Sequence, residues 1–142
     1  MAQIVCISYI PWRNDPSRSQ ELLSHIPDAE VLFFQPAPSH KAGSDMPSRQ
    51  VLPNITLYNL PASLYLADTR PRTYRKALDF IQHCMEAHGF EEPLLWACTP
   101  MVSNLMEELP YRSLVYDCDR IWQELPVNWE SNLAYRADLI LT

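Results

Sequence analysis

The stretch Gln3–Tyr9, QIVCISY, is a nearly continuous β-rich run close to the start of the chain, and four other runs resemble it. These are Val31–Phe34 (VLFF), Leu94–Ala97 (LLWA), Leu114–Tyr116 (LVY) and Leu139–Leu141 (LIL), with Ile55–Leu60 as a weaker sixth candidate. Strands that are apolar on both faces are what a parallel sheet covered by helices requires. Between them lie segments of helical period. Ser17–Ile26 places Leu22, Leu23 and Ile26 on one face, with Ser17 or Ser19 as its cap. Thr73–His88 is the clearest helix: Tyr74, Ala77, Leu78, Ile81 and Met85 recur at three- and four-residue steps, Thr73 can cap its start, and Gly89 suits its C-terminal turn. Pro100–Leu109, with Pro100 in the first turn, and Asn128–Ala137 are shorter helix candidates.

The resulting order, β-α-β-loop-β-α-β-α-β-α-β, predicts an α/β, Rossmann-like, three-layer α/β/α domain with a mostly parallel sheet of about six strands. At 142 residues the chain fits a single domain, 1–142. Gln35–Pro53, rich in Pro and Ser and containing Gly43, one of only two glycines, reads as a long exposed loop. The final run, Leu139–Thr142, has no covering helix after it. The chain therefore reads as part of something larger, or as one that uses a partner, self-association through that strand included.

Hydrophobic residues make up 47% and charged residues 20%, a globular composition, and the net charge of -6 argues against nucleic acid as a partner. Cys6, Cys84, Cys98 and Cys118 have no regular spacing and read as reduced, buried thiols. The N-terminus has neither a basic n-region nor a long apolar h-region, and no run approaches the roughly 20 apolar residues of a membrane span. The cytoplasm is the expected compartment, with peripheral contact at the inner face of the membrane left open.

In an open α/β sheet, ligands bind outside the carboxyl ends of the strands. The loop Ile10–Pro16 lacks the glycines that let backbone amides approach phosphate, which excludes an NAD fingerprint or a P-loop there. It offers Trp12, Arg13 and Asp15, with Arg18 one turn further on. A guanidinium beside an indole suits a sugar or phosphate, and equally suits packing of the helix against the sheet edge. The segment ADTRPRTYRK gathers Arg70, Arg72, Arg75 and Lys76 at a helix start, either as an anion site or as a solvated face.

Asp117-Cys118-Asp119 admits three readings. The two carboxylates can chelate Mg²⁺ or Mn²⁺ with a diphosphate, one of them can hydrogen-bond at the mouth of the sheet, or one can cap a segment beginning at Arg120. A dehalogenase-type nucleophile is excluded, because that D-x-D follows the first strand. His25, His40, His83 and His88 show no metal-ligand spacing, and no G-x-S-x-G is present. Trp96, Trp122 and Trp129 read as core or interface residues.

Three segments together resemble a known family. SYIPWRNDPSRSQELLSHIPDAEVLFFQP, PLLWACTPM and SLVYDCDRIWQELPVNWESNLAYRADLILT are similar, in this order, to the N-terminal, acceptor-side domain of GT-B fold glycosyltransferases, family 4-like. The resemblance implies that Trp12, Arg13, Arg18 and Thr99 bind substrate and that Asp117 and Asp119 take part in catalysis. It makes the Arg70–Lys76 cluster available to an anionic, sugar or lipid-linked acceptor. It also implies that the nucleotide-sugar binds mostly to a second Rossmann-like domain, absent here, so that this half alone is inactive. No E-x7-E pattern is present. This reading calls for no metal and no cofactor. The alternatives are a metal-dependent GT-A transferase with Mn²⁺ on Asp117 and Asp119, and a non-catalytic Rossmann-like binding or assembly module.

Overall fold

The computed structural model describes residues 1–37 and 49–142. Seven strands form one sheet: β1 (Ala2–Ile7), β2 (Ala29–Pro36), β3 (Arg49–Leu52), β4 (Ile55–Leu60), β5 (Leu94–Ala97), β6 (Ser113–Asp117) and β7 (Leu139–Leu141). Their spatial order is β3-β4-β2-β1-β5-β6-β7, and every pairing is parallel except β3 with β4. This is the Rossmann-like α/β fold that the apolar runs predicted, with one strand more than expected.

Side-chain alternation explains why the strands read as continuous apolar runs. Val5 and Ile7 of β1, with Leu32 and Phe34 of β2, enter one core. Ile4 and Cys6, with Val31 and Phe33, enter the other. The first core is covered by α2 (Pro71–Ala87), α3 (Val127–Arg136) and the 3-10 helix Pro100–Asn104, through Leu78, Ile81, Leu133 and Met101. The second core lies under α1 (Arg18–Ser24), which contributes Leu23.

Four details depart from the expectations. The extra strand β3 lies within the segment read as the Gln35–Pro53 loop, and pairs with β4 across a register shift between Gln50 and Leu52. Gln35 and Pro36 of that segment belong to β2, and residues 38–48, with Gly43 and His40, lie outside the described residues. Helix α2 starts at Pro71 rather than at a Thr73 cap, because Pro71 has no N–H to satisfy and Arg70 is extended before it. Pro100–Leu109 is a 3-10 helix only to Asn104. Thr99 caps it by accepting from the Met101 N–H at 3.3 Å, and the Asn104 amide is drawn to the Tyr74 hydroxyl. Finally, no helix begins at Arg120, so neither aspartate is a cap there.

The helix ends follow ordinary capping chemistry. Ser17 accepts from the Gln20 N–H at 3.2 Å, and Gly89 takes a left-handed φ of 71° just past His88, the C-cap of α2. Among the described residues, no helix is long and apolar enough to cross a membrane.

Candidate functional site

Strand β1 has β2 on one side and β5 on the other, so the chain reverses its direction of winding there. The carboxyl ends of β1 and β5 therefore open the crevice where α/β sheets bind ligands. Residues 8–16 follow β1, Cys98 and Thr99 follow β5, and Asp117–Asp119 close β6 two strands away from β1.

Asp117 is the organising group. It is 1% exposed, on the last position of β6, and its side chain lies on the α1 side of the sheet. Arg18 donates to its Oδ1 through Nε (2.8 Å) and Nη2, while the Ser19 hydroxyl donates to Oδ2. Nη2 of Arg18 also reaches the Leu141 carbonyl at 3.3 Å. Ser19 in turn lies 3.1 Å from the Cys98 sulfur and accepts from the Trp96 indole at 3.3 Å. Cys6 and Cys98 sulfurs approach to 3.7 Å, and burial, with the neighbouring Cys98, pushes the Cys6 thiol well above its usual range. Both oxygens of Asp117 are thus engaged, which a buried carboxylate requires.

Asp119 is held elsewhere. Its Oδ1 accepts from the Tyr9 hydroxyl at 2.8 Å. Tyr9 packs edge-on against Trp122 with ring centroids 4.7 Å apart, and the Arg120 guanidinium lies 4.3 Å from the Trp122 ring. Burial and then the Asp119 carboxylate push the Tyr9 phenol up. The two aspartates therefore do not turn to a common point. Among the described residues, no group of three or more His, Cys, Asp or Glu stands within reach of one metal ion.

The loop of residues 11–16 is fixed by side-chain amides. Gln20 and the Arg13 backbone exchange two hydrogen bonds, Gln20 Nε2 to the Arg13 carbonyl at 2.7 Å and the Arg13 N–H to Oε1 at 3.1 Å. The Trp12 N–H donates to Gln35, whose own amide donates to Asn59. Trp12 packs edge-on against Phe33 at 5.3 Å, so its ring is partly structural. The Arg13 side chain is exposed and, among the described residues, bonds only the nearby Asp15 carbonyl, at 2.6 Å. Thr99 is 1% exposed and occupied as a cap.

Of the residues singled out in the sequence, Arg18 and Asp117 come together, Arg13 stands on the same rim, and Asp119 joins a separate aromatic clasp. Arg70, Arg72, Arg75 and Lys76 sit at the start of α2. Arg75 is neutralised there by Glu108 (2.8 and 3.1 Å) and by Asp79, whereas Arg70, Arg72 and Lys76 have no carboxylate partner among the described residues. Ser19, Gln20 and Tyr9 were missed. For Gln20 a signal existed, since Ser17-x-x-Gln20 has the capping-box spacing, although its amide serves Arg13 instead.

The strand order and the crevice define an α/β domain of Rossmann-like type, with polar residues converging at the carboxyl ends of its strands. Five solved chains match it. One is described as "Trehalose-6-phosphate from E. coli bound with UDP-2-fluoro glucose", a GT-B glycosyltransferase, at a TM-score of 0.55 and 15% identity. The match covers 98% of this chain and 39% of that one, so this chain spans well under half of its length. The likeness is one of fold, and the fold is GT-B-like. No family model matches the chain, and no curated protein matches it in sequence.

Proposed function

We propose that this chain is the acceptor-side domain of a glycosyltransferase that moves a sugar from a nucleotide-activated donor to a hydroxyl acceptor. The observation that carries the reading is the Arg18–Asp117 pair, set in the crevice of a GT-B-like sheet. In such a transfer the acceptor oxygen forms a bond to the anomeric carbon, the bond to the diphosphate breaks with its electron pair, and the acceptor proton passes to a base. Charge develops on the leaving diphosphate, and positioned guanidinium groups stabilise it without reorganising. Arg18 is pre-oriented by Asp117 and the Leu141 carbonyl. Arg13 brings a positive charge with no carboxylate partner among the described residues. Asp117, being buried, acts through Arg18. The nucleotide-sugar domain and the acceptor, a sugar or a lipid-linked one, belong to this proposal.

The test uses the complete protein that carries this chain, assayed for nucleotide release from UDP-, GDP- and dTDP-sugars. Arg13→Ala, on an exposed loop, is expected to lower kcat/KM by about tenfold, the loss of one charge-assisted contact. Asp117→Asn is expected to lower it more. Unchanged transfer by both variants would remove the crevice from the reaction.

A second reading has a specific observation in its favour. Strand β7 is a sheet edge, and Leu139 and Ile140 remain 53% and 43% exposed. A non-catalytic assembly module would use such an edge for pairing, with another copy or a different chain. Sedimentation equilibrium showing a monomer across the micromolar range would count against self-pairing.

A further inference from the structure

On the α2 side of the sheet, away from the buried Asp117 network, the N-terminal half of α2, the first turn of α3, the 3-10 helix Pro100–Asn104 and Glu108 line an open cavity of about 710 Å³. Its walls carry two aromatic rings, Tyr74 and Trp129, edge-on with centroids 6.5 Å apart. Leu78 provides apolar lining. Asn104, Arg75 and Glu108 add planar polar groups, the last two joined by two hydrogen bonds. Arg72 lines the same cavity, in the first turn of a 17-residue helix, and no carboxylate among the described residues pairs with it. With Arg75 and Glu108 cancelling, the cavity carries one unbalanced positive charge at the positive end of a helix dipole.

Each part narrows the ligand. Aromatic walls match the apolar C–H face of a pyranose ring, and planar amide, carboxylate and guanidinium groups match its paired hydroxyls. A lone guanidinium fork with no internal partner matches a carboxylate or phosphate on that ring. An inorganic anion would leave the aromatic walls unused, and a neutral sugar would leave Arg72 unused.

We infer that the cavity between α2, α3 and the 3-10 helix is a binding site for an anionic pyranose, a uronate or a sugar phosphate. The sugar lies against Tyr74 and Trp129, and its anionic group meets Arg72. As an acceptor subsite it rests on the transferase reading; as a binding site it does not.

The experiment is a titration of this chain with glucuronate and with glucose 1-phosphate, followed by the NMR signal of the Trp129 indole N–H. Glucose and inorganic phosphate serve as the ring-only and anion-only controls. At least one charged sugar is expected to saturate and shift the Trp129 signal, with both controls at least about tenfold weaker. Arg72→Ala is expected to weaken that binding about tenfold. Arg70→Ala, just before α2 and outside the cavity, should leave it unchanged. The inference is overturned if inorganic phosphate binds as well as the charged sugars, if neither charged sugar binds, or if Arg70→Ala and Arg72→Ala have equal effects. Binding at this cavity without sugar transfer by the complete protein would sink the transferase reading and keep the site. Transfer without binding here would do the reverse.

Discussion

Arg18 and Asp117, 99 positions apart in the chain, meet where the start of α1 crosses the end of β6, with the Arg18 Nε 2.8 Å from the Asp117 carboxylate. The carboxylate is 1% exposed and the guanidinium 35%, so the pair closes the buried side of the crevice while leaving its cation within reach of solvent. Removing Arg18 strands a buried negative charge that Ser19 alone must satisfy. Breaking a fully buried pair costs about 3–5 kcal/mol, and the partial exposure of Arg18 lowers the expectation for Arg18→Met to about 2 kcal/mol. Urea denaturation measures it. Asp117→Asn in the Arg18→Met background should recover part of the loss, and an Arg18→Met midpoint equal to that of the parent would contradict the account.

This pair also marks the limit of what the sequence discloses. Six strands were legible as apolar runs: β1, β2, β4, β5 and β6 feed both cores, one on each face of the sheet, whereas β7 reads as apolar although Leu139 and Ile140 stay exposed. The seventh, β3, was not, because Arg49, Gln50 and Leu52 are exposed and the strand holds its edge position through backbone pairing to β4. Asp117 and Arg18 were each legible as polar residues at strand mouths, yet their meeting depends on β6 lying two strands from β1, a long-range fact with no local signature. The segment after Asp119 has helical spacing but no helix. Tyr9 draws it into tertiary contacts instead, with its hydroxyl on Asp119 and its ring against Trp122 and the Arg120 guanidinium. Tertiary contacts there override local propensity.

The cap of α1 makes a second prediction. Ser17 satisfies the Gln20 N–H, and the helix it starts is only seven residues long. Ser17→Ala should cost about 1 kcal/mol, while Ser17→Asp should retain most of the stability. Because the same helix carries Ser19 and Gln20, fraying of α1 should also loosen the loop of residues 11–16. Hydrogen exchange at the Arg13 amide reads that directly, and faster exchange is expected in Ser17→Ala.

Alkaline pH should destabilise the protein through its buried thiols. Burial pushes Cys84 from the ordinary 9.0 up to about 11. Between those values the unfolded chain has released the proton and the folded one still holds it, so the unfolded state binds fewer protons and stability falls as pH rises. A melting temperature that declines from pH 8.5 to 10.5 is expected, with a shallower decline in Cys84→Ala. An identical slope in that variant would assign the loss to other groups, of which the buried Cys6, also raised by burial, is the next to test.

Gly89 separates backbone strain from packing. Its φ of 71° lies in the left-handed region, yet a Cβ built there meets nothing within 4 Å. Gly89→Ala therefore creates no clash, and its cost is that of the left-handed conformation alone, about 1–2 kcal/mol. Asn tolerates that region better, so Gly89→Asn should cost visibly less. The turn also places Phe90, whose N–H donates to the Met85 carbonyl at 2.8 Å, into the core under α2. If Gly89→Ala and Gly89→Asn were equally destabilising in urea, the dihedral would not be the cause, and displacement of Phe90 from that core would have to be.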